Sequence, residues 1–268
     1  MMQRYVFIFI LFAKELYFNQ KELTLYFMKK AVIMGASSGI GREVALLLCQ
    51  AGWHIGIAAR RLDALHDIQA KYPAQVTISQ IDVTTMDAPI LLTRLVEEMG
   101  GIDLYVHVSG VGKQNPMLEQ SIETATVDTN VSGFTRLIDT MFHLMEHQRY
   151  GHIAIVSSIA GTKGLGPAPS YSATKAYQAT YIQALEQLAH SRRLPITFTD
   201  IRPGFVDTPL LSGGRYPMLM DKERVARAIV RNILARRHIV VIDWRYAVLT
   251  FFWRLIPNFI WRRMKLTR

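Results

Sequence analysis

The sequence contains a single cysteine, Cys49, and this scarcity excludes any disulfide bond within the chain. Cys49 follows three leucines in an apolar helical pattern, so we expect a buried structural thiol and a reducing compartment. Long hydrophobic runs are also missing, because no stretch approaches the roughly 20 apolar residues of a membrane-spanning helix. We therefore expect a cytoplasmic protein whose membrane contact, if any, is peripheral and at the inner face.

Acidic residues are missing after Asp243, whereas six basic residues follow it: Arg245, Arg254, Arg262, Arg263, Lys265 and Arg268. The formal net charge of +10 is therefore largely a property of the tail. A basic excess is typical of proteins that bind nucleic acid or an anionic surface. Its confinement to a tail rich in tryptophan and phenylalanine favours an anionic lipid surface, and we predict no nucleic-acid partner.

The chain length of 268 residues fits one α/β domain. We predict an N-terminal extension (1–27), one folded domain (28–243, with a lid at about 207–222) and a basic aromatic tail (244–268). The apolar run at 5–13 is too short to span a membrane and no cleavage site follows it. We interpret Met28 as the natural start; the alternatives for the extension are disorder, a surface hairpin or a peripheral membrane anchor.

Strand-like apolar runs alternate with helical patterns from Ala31 onward. The helical pattern is clearest at Ile40, Val44, Leu47 and Leu48, which share one face. This alternation predicts a single Rossmann-type, doubly wound α/β domain with a mainly parallel seven-stranded sheet and helices on both faces. The seven predicted strands cover 31–35, 54–59, 75–81, 103–108, 152–157, 196–202 and 238–243.

A glycine-rich loop follows the first predicted strand and opens a helix. Its glycines leave the backbone N–H groups at the helix start open to dinucleotide phosphates. A glycine-rich turn capped by Ser37 or Ser38 is the alternative interpretation. The predicted phosphate-binding residues are Gly35, Ser37, Ser38, Gly39, Ile40 and Gly41.

The second predicted strand ends in Ala59, Arg60 and Arg61, and this ending bears on the cofactor. An NAD site favours a carboxylate near this point, where it accepts hydrogen bonds from the adenosine ribose. Ala59 supplies none, and Arg60 and Arg61 offer charge-assisted hydrogen bonds to a 2′-phosphate. We predict NADP(H), with two solvated arginines as the alternative.

The Gly-x-x-x-Gly-x-Gly spacing, a serine at 158 and Tyr171-x-x-x-Lys175 thirteen residues later resemble the short-chain dehydrogenase/reductase family over about residues 31–243. The resemblance implies hydride transfer between NADP(H) and a carbonyl or alcohol. It assigns catalysis to Ser158, Tyr171 and Lys175, with Lys175 also holding the nicotinamide ribose and Asn130 completing the site through a water chain. The further cofactor contacts that it implies are Asp82, Val83, Ser109, Gly110, Pro203, Gly204, Val206 and Thr208.

The implied chemistry needs a proton donor for the carbonyl oxygen, on which negative charge builds. A free tyrosine has a pKa near 10, so we expect the Lys175 ammonium to lower the pKa of Tyr171 and Ser158 to stabilise the charge. The family usually has Asn-Asn-Ala-Gly after the fourth strand, where this chain has His107-Val108-Ser109-Gly110, and Met34 replaces its usual threonine. These departures affect the stability of the scaffold rather than the chemistry.

The lid and the tail bear on the substrate. Leucines and methionines at 210–211 and 218–220 favour an apolar substrate, with ordinary packing as the alternative. In the tail, Leu249, Phe252, Trp253 and Ile256 predict an apolar helical stripe flanked by arginines, as in interfacial helices. Packing of the tail on its own domain or on a partner subunit is the alternative. We predict a small-molecule, lipid-like ketone, with 3-ketosphinganine one candidate beside a sterol ketone, a 3-oxoacyl thioester or a xenobiotic carbonyl.

Three further interpretations complete the set. A catalytically silent nucleotide sensor or scaffold of the same fold is the alternative to an enzyme. His143 and His147 have the spacing of a zinc motif, but no third ligand is evident and we predict no metal. The family resemblance also implies a homodimer or homotetramer, formed through the helices that precede strand five and carry Tyr171.

Overall fold

The computed structural model describes residues 28–211 and 216–265. The predicted extension at 1–27, four residues of the lid and the last three residues of the tail lie outside these ranges. Seven strands form one sheet in the order β3-β2-β1-β4-β5-β6-β7, and every neighbouring pair is parallel. The strands are β1 Lys30–Met34, β2 His54–Ala59, β3 Val76–Gln80, β4 Leu104–His107, β5 Gly151–Val156, β6 Ile196–Arg202 and β7 Ile239–Val241.

Helices connect the strands as the sequence pattern predicts. The helices are α1 Gly39–Gln50, α2 Leu62–Gln69, α3 Ala88–Glu98, α4 Gln120–Val127, α5 Phe134–Gln148, α6 Pro169–Ser191, α7 Lys222–Leu234, α8 Trp244–Leu255 and α9 Asn258–Trp261. A π-helical turn, Asp128–Gly133, joins α4 to α5, and a 3₁₀ turn, Ile159–Thr162, follows β5. The predicted doubly wound α/β fold is confirmed, with the predicted strands one or two residues too long at several ends.

The central strands of the sheet are buried on both faces, which explains why β1, β2 and β4 are mostly apolar. In β1, Ala31 and Ile33 face one core while Val32 and Met34 face the other. Helices α1, α2, α7 and α8 contribute to the first core, and α3, α5 and α6 to the second. The side chain of Cys49 is buried in the first core, as predicted, and burial raises the pKa of its thiol to about 12.

The strand order places a crevice between β1 and β4. From β1 the sheet continues to β2 and β3 on one side and to β4, β5 and β6 on the other. In open parallel sheets, ligands bind at the carboxyl ends of the strands where the order reverses in this way. Gly35 follows β1 and Ser109 follows β4, so the fold brings the glycine loop and the predicted β4 contacts to this point.

The first helix of the tail packs on the domain by one face. Tyr246 and Thr250 are buried and Leu249 and Trp253 half-buried on that face, whereas Phe252 of the predicted stripe is exposed. Tyr246 anchors α8, because its hydroxyl donates to the carbonyl oxygen of Pro217 at 3.0 Å. Among the described residues, no helix has the length and apolarity needed to cross a membrane.

Candidate active site

The glycine loop forms a tight turn from β1 into α1. A Cβ on Gly41 would collide with the carbonyl oxygen of Gly35, so a side chain there would force the loop away from the helix. Within α1, Ser38 at the N-cap makes no side-chain hydrogen bond and the first turn carries no acidic residue. This helix start therefore presents uncompensated positive dipole, which suits a phosphate rather than the alternative capped turn.

Residues from two other segments lie beside the loop. The N–H groups of Val108 and Ser109 both donate to the Met34 carbonyl oxygen, at 2.8 and 3.0 Å, and hold Ser109 beside Gly35. The methyl group of Thr208 lies 3.2 Å from the position that a Cβ on Gly39 would take. The cradle left by the missing side chains thus fits a dinucleotide along the loop.

The two predicted arginines lie at the edge of this cradle. Arg61 donates from Nη2 to the Ser37 hydroxyl at 3.2 Å, which joins its guanidinium to the phosphate loop. Arg60 is exposed, and its main-chain carbonyl accepts from the side chain of Gln80 at 2.9 Å. Ala59 is buried at the end of β2, so it presents neither charge nor hydrogen-bonding side chain to a ribose.

Asp82 and Val83 lie just beyond β3. Burial raises the pKa of Asp82, but hydrogen bonds from Thr84 and the charge of Arg60 outweigh it and hold that pKa below its ordinary value. The carbonyl oxygen of Val83 accepts from Arg136 at 3.3 Å. Asp82 is therefore an ionised acceptor on the side of the cradle where the arginines lie.

Ser158 and Tyr171 meet beyond the carboxyl end of β5. Ser158 caps the 3₁₀ turn, with its Oγ accepting from the Ala160 N–H at 3.1 Å. Tyr171 lies in the first turn of α6, and its ring packs on Gly112, where a Cβ would collide with the ring. The Ser158 hydroxyl donates to the Pro203 carbonyl oxygen at 3.4 Å and lies near enough to the phenol of Tyr171 to lower its pKa. The predicted pair is thus brought together by two different elements.

Lys175 lies one turn after Tyr171 on α6 and is only 4% exposed. Its Nζ is 5.8 Å from the centroid of the Tyr171 ring and donates to the carbonyl oxygen of Val156 at 3.0 Å. Burial lowers the pKa of Lys175 to about 8, against the opposing influence of the negative charge of Asp200. The cation is thus held by acceptors within the protein and titrates near neutrality.

The expected lowering of the Tyr171 pKa does not occur in this arrangement. Burial raises the pKa of Tyr171, and the nearby Ser158 hydroxyl offsets only part of that rise. The reason is geometric, because the ammonium of Lys175 bonds to Val156 and Gln178 rather than to the phenol oxygen. Tyr171 therefore carries its proton at neutral pH, which is the form that a proton donor requires.

Asn130 lies in the π-helical turn, where hydrogen bonds within the protein connect it to Lys175. Its side-chain amide accepts from the Val111 N–H at 2.9 Å and donates to the Val111 carbonyl at 2.7 Å. Its main-chain carbonyl accepts from Nε2 of Gln178 at 2.9 Å, while Oε1 of Gln178 accepts from Lys175 at 2.9 Å. The Gln178 amide thus links Asn130 to Lys175, and the water chain stays a prediction.

Sequence reasoning missed Gln178, although one signal was available. Gln178 follows Lys175 by three residues, which places the two side chains on one face of α6. A polar residue at that spacing, on a helix face turned to the core, needs a partner. The pairing of its other end with Asn130 joins residues 48 apart in sequence and was not readable from the pattern.

Asp200 in β6 is a second buried polar group that sequence reasoning missed. Its carboxylate accepts a short hydrogen bond from the Ser157 hydroxyl and a two-pronged one from Arg202, at 2.7 Å from Nε and 2.6 Å from Nη2. Asp200 and Arg202 are two residues apart in a strand, so their side chains lie on the same face of the sheet. This spacing of opposite charges was the available signal. The paired carboxylate lies behind the site and acts on Lys175 through its charge.

His107 shows what replaces the family's asparagine at the end of β4. Its Nδ1 lies 3.0 Å from the Tyr105 hydroxyl, and its Nε2 has no hydrogen-bond partner within the described part of the chain. Burial, reinforced by the nearby positive charge of Lys175, lowers the pKa of His107 to about 3. The histidine is therefore neutral and bonds along its own strand.

The predicted segment from Pro203 to Thr208 leads from β6 into the lid. The Pro203 carbonyl accepts from the Ile159 N–H at 3.1 Å, which ties this segment to the turn after Ser158. Gly204 packs directly on the ring of Tyr246, and Val206 forms a parallel bridge with Met220. The start of the lid therefore rests on the C-terminal tail.

A cleft of about 630 Å³ lies between the tail and the loop that links Ser158 to Tyr171. This volume is within the range of small-molecule pockets. Lys163 bridges the two walls by donating to Asn258 at 2.7 Å, and the Trp261 indole donates to the Gly164 carbonyl at 2.8 Å. The lining residues are Pro116, Lys163, Gly164, Gly166, Pro167, Asn258, Trp261, Arg262 and Met264.

The histidines with zinc-motif spacing lie on the exposed side of α5. Nδ1 of His143 lies 3.3 Å from Glu146, and its Nε2 is 3.6 Å from Asp139. Over residues 28–211 and 216–265, no three histidine, cysteine or acidic side chains group as metal ligands. His143 thus belongs to a surface ion-pair cluster.

Comparison with known proteins identifies the family. A family model described as short chain dehydrogenase matches residues 29–215. An uncharacterized oxidoreductase of Myxococcus xanthus is 33% identical over 238 residues, which cover 86% of this chain and 93% of that protein. A sepiapterin reductase of Chlorobaculum tepidum is 29% identical over 226 residues, 78% of this chain and 92% of that one. The chain therefore belongs to the short-chain dehydrogenase family, which is a family of oxidoreductases.

Solved structures support the same fold. An alcohol dehydrogenase from Thermococcus sibiricus, complexed with 5-hydroxy-NADP, has a TM-score of 0.71 at 22% identity and covers 82% of this chain and 97% of its own. Levodione reductase has a TM-score of 0.71 at 21% identity and covers 82% of this chain and 98% of its own. At these identities the similarity establishes the architecture alone.

Proposed function

We propose that this protein is an NADP(H)-dependent oxidoreductase that reduces a ketone to an alcohol, or oxidises the matching alcohol. The observation that carries the proposal is the state of Tyr171. Its hydroxyl lies near that of Ser158, burial keeps it protonated at neutral pH, and Nζ of the buried Lys175 lies 5.8 Å from the centroid of its ring. A complete proton-donating set favours turnover over the alternative of a silent nucleotide sensor.

The proposed mechanism assigns one task to each group. A bound nicotinamide supplies the hydride that adds to the carbonyl carbon. Ser158 donates a hydrogen bond to the carbonyl oxygen as negative charge builds there, and Tyr171 transfers its phenolic proton to the same oxygen. The charge of Lys175 stabilises the resulting phenolate until solvent restores the proton. Gln178 acts as a positioning residue, because it holds Lys175 and Asn130 in place.

NADP(H) rather than NAD(H) is supported by the groups at the end of β2. Arg61 reaches Ser37 of the phosphate loop, Arg60 lies beside it, and buried Ala59 adds no negative charge. Two guanidiniums complement a phosphate monoester, whereas a ribose hydroxyl would favour a carboxylate. The glycine loop would hold the diphosphate, and Lys175 the nicotinamide ribose.

We propose an apolar, lipid-like ketone as the substrate, with 3-ketosphinganine as one candidate. The lid exposes Leu210 and Leu219 near the point where Val206 pairs with Met220. Exposed leucine side chains on a lid are stabilised when they leave water and cover the apolar chain of a substrate. By kinship we also propose a homodimer or homotetramer through α5 and α6, which light scattering of the purified protein would test.

The decisive experiment measures NADPH and NADH oxidation with small and long-chain ketones, in the wild type and in Tyr171→Phe. We expect NADPH-dependent turnover that falls by about 10²–10⁴-fold in the variant, because general-acid catalysis contributes about that much. NADPH binding, followed by protein fluorescence, should persist.

Tyr177→Phe is the matched control, since it removes a phenol from the same helix that bonds Thr135 and not Ser158. Its turnover should stay near that of the wild type. Equal turnover in Tyr171→Phe would overturn the assigned proton donor. A preference for NADH would contradict the roles of Arg60 and Arg61.

A further inference from the structure

The tail exposes a concentrated set of apolar side chains. We call Trp244, Val248, Phe251, Phe252, Leu255, Phe259, Ile260 and Met264 the tail surface; each is between 43% and 74% exposed. The opposite face of α8 is occupied, because Tyr246 and Thr250 are buried against the domain. A helix that is apolar on both faces is typical of one that contacts a second apolar phase. We therefore expect the tail surface to contact another molecule or a lipid phase.

The charges around the tail surface indicate which occupant fits. Exposed basic side chains intersperse it at Arg254, Arg262, Arg263 and Lys265, and the sequence has no acidic residue beyond Asp243. Arg245 is the exception, because it is paired with Asp243 at 2.8 Å. Aromatic groups ringed by cations match an interface of acyl chains below anionic headgroups. A second copy of this basic tail would bring like charges together.

The tail surface is firmly held by the domain. The Lys163 ammonium donates to the Ile256 carbonyl at 3.1 Å, and the Trp261 indole to Gly164. At the other end, the Tyr246 hydroxyl donates to Pro217 and accepts from the Phe205 N–H at 3.2 Å. The exposed aromatics are thus presented in a fixed orientation, which favours docking as a rigid face over a flexible tether.

The cleft described above opens at the edge of this face. Met264 belongs both to the tail surface and to the lining of the cleft, and Arg262 lines the cleft beside it. The opposite wall comes from the loop between Ser158 and Tyr171. A molecule that leaves a bilayer at the tail surface would reach this wall without crossing bulk water.

We propose that the tail surface docks on the surface of an anionic lipid membrane, with the mouth of the cleft facing the bilayer. This inference deepens the proposed function and rests on its lipid-like ketone, since docking would bring the loop between Ser158 and Tyr171 to the membrane surface. It also stands apart from that function, because membrane docking is measurable without turnover.

The test is cosedimentation of the full chain with vesicles of phosphatidylcholine containing 30% phosphatidylglycerol, and with vesicles of phosphatidylcholine alone. We expect partition into the anionic vesicles that weakens with salt. It should fall at least tenfold in Phe251→Ser/Phe252→Ser and also fall in Arg262→Gln/Arg263→Gln. The matched control is Met86→Ser/Ile90→Ser, which changes two exposed apolar residues outside the tail and should bind like the wild type.

Two readouts separate the alternatives. Turnover of a water-soluble ketone should be the same in Phe251→Ser/Phe252→Ser as in the wild type, so a failure of catalysis is distinguishable from a failure of docking. Absence of wild-type binding to anionic vesicles, or equal binding by the tail variant, would overturn the proposal. So would light scattering in which that variant alone dissociates an oligomer, since the occupant would then be a second copy.

Discussion

At the carboxyl ends of β4, β5 and β6 polar side chains are buried, whereas along α8 and α9 apolar side chains are exposed. Lys175, Gln178 and Asp200 lie almost wholly out of solvent, while Phe251 and Phe252 each expose more than half of their surface. Buried polar groups and exposed apolar patches are the informative exceptions to ordinary burial. Both regions depart from ordinary burial. The buried polar groups coincide with the proposed catalytic site, and the exposed apolar groups coincide with the proposed membrane-docking surface.

The two regions differ in what their unusual side chains contact. In the proposed catalytic region three buried groups have partners in the chain, Lys175 with Val156, Gln178 with Asn130 and Asp200 with Arg202, whereas Nε2 of His107 has none among the described residues. The exposed aromatics of the tail are in contact mainly with solvent. Internal pairing fixes the geometry that proton transfer needs, whereas an unpaired apolar face has stabilisation still to gain on contact with a second phase.

The largest expected effect compares the two faces of the tail itself. Trp261 is buried and bonds Gly164, so Trp261→Ala should lower the free energy of unfolding by about 3–5 kcal/mol. Phe252→Ala, on the exposed face, should change it by less than about 0.5 kcal/mol. Urea denaturation measures both, and a comparable loss in Phe252→Ala would mean that this face is covered in the free protein.

The next effect tests the buried polar region through its histidines. The pKa values of His107 and His152 are lowered by burial to about 3 and about 4, whereas unfolded histidine titrates near 6.5. Below pH 6.5 the unfolded chain therefore binds protons that the folded chain refuses, and stability falls with pH until those folded values are passed. At pH 5 the loss is roughly 2 kcal/mol for each histidine.

Urea denaturation at pH 7 and pH 5 measures that loss. His107→Asn, which installs the residue usual in the family, should reduce the difference between the two pH values by about 2 kcal/mol. His147→Asn changes an exposed histidine and should leave it unaltered. An undiminished pH dependence in His107→Asn would show that His107 is protonated in the fold.

The smallest effect concerns Gln178, which connects Lys175 on α6 to Asn130 in the π-helical turn. Gln178→Leu removes the acceptor at 2.9 Å from the Lys175 ammonium, so the pKa of Lys175 should fall further below 8. The alkaline limb of the profile of kcat/KM against pH should move down by about one unit, since a lost charge-assisted hydrogen bond is of that order.

Gln178→Ala makes the same test with room left for water. A smaller shift is expected there, because water can accept from Lys175 and bond to the Asn130 carbonyl. A profile unchanged in both variants, with activity lowered only by poorer folding, would mean that Gln178 has a structural role alone.

The sheet and much of the site were predictable from local pattern. The run 54–59 was correctly bounded, because a strand buried on both faces is mostly apolar. The strand at 196–202 was also correctly bounded, although it carries polar residues such as Asp200. The partnership of Ser158 with Tyr171 was predicted from order and spacing. The pKa of Tyr171 was not, because the direction in which the Lys175 ammonium bonds depends on acceptors from β5 and from Gln178.

By itself, the sequence determined the parallel doubly wound sheet, the glycine loop and the order of the catalytic groups, because these follow from periodicity and from motifs that are local in the chain. Only the tertiary structure decided which face of α8 is buried, what links Lys175 to Asn130, and that the tail forms one wall of the cleft. Those features rest on contacts such as Tyr246 with Pro217 and Gln178 with Asn130. Residues that far apart in sequence meet only when the whole chain has packed, so no local pattern encodes their pairing.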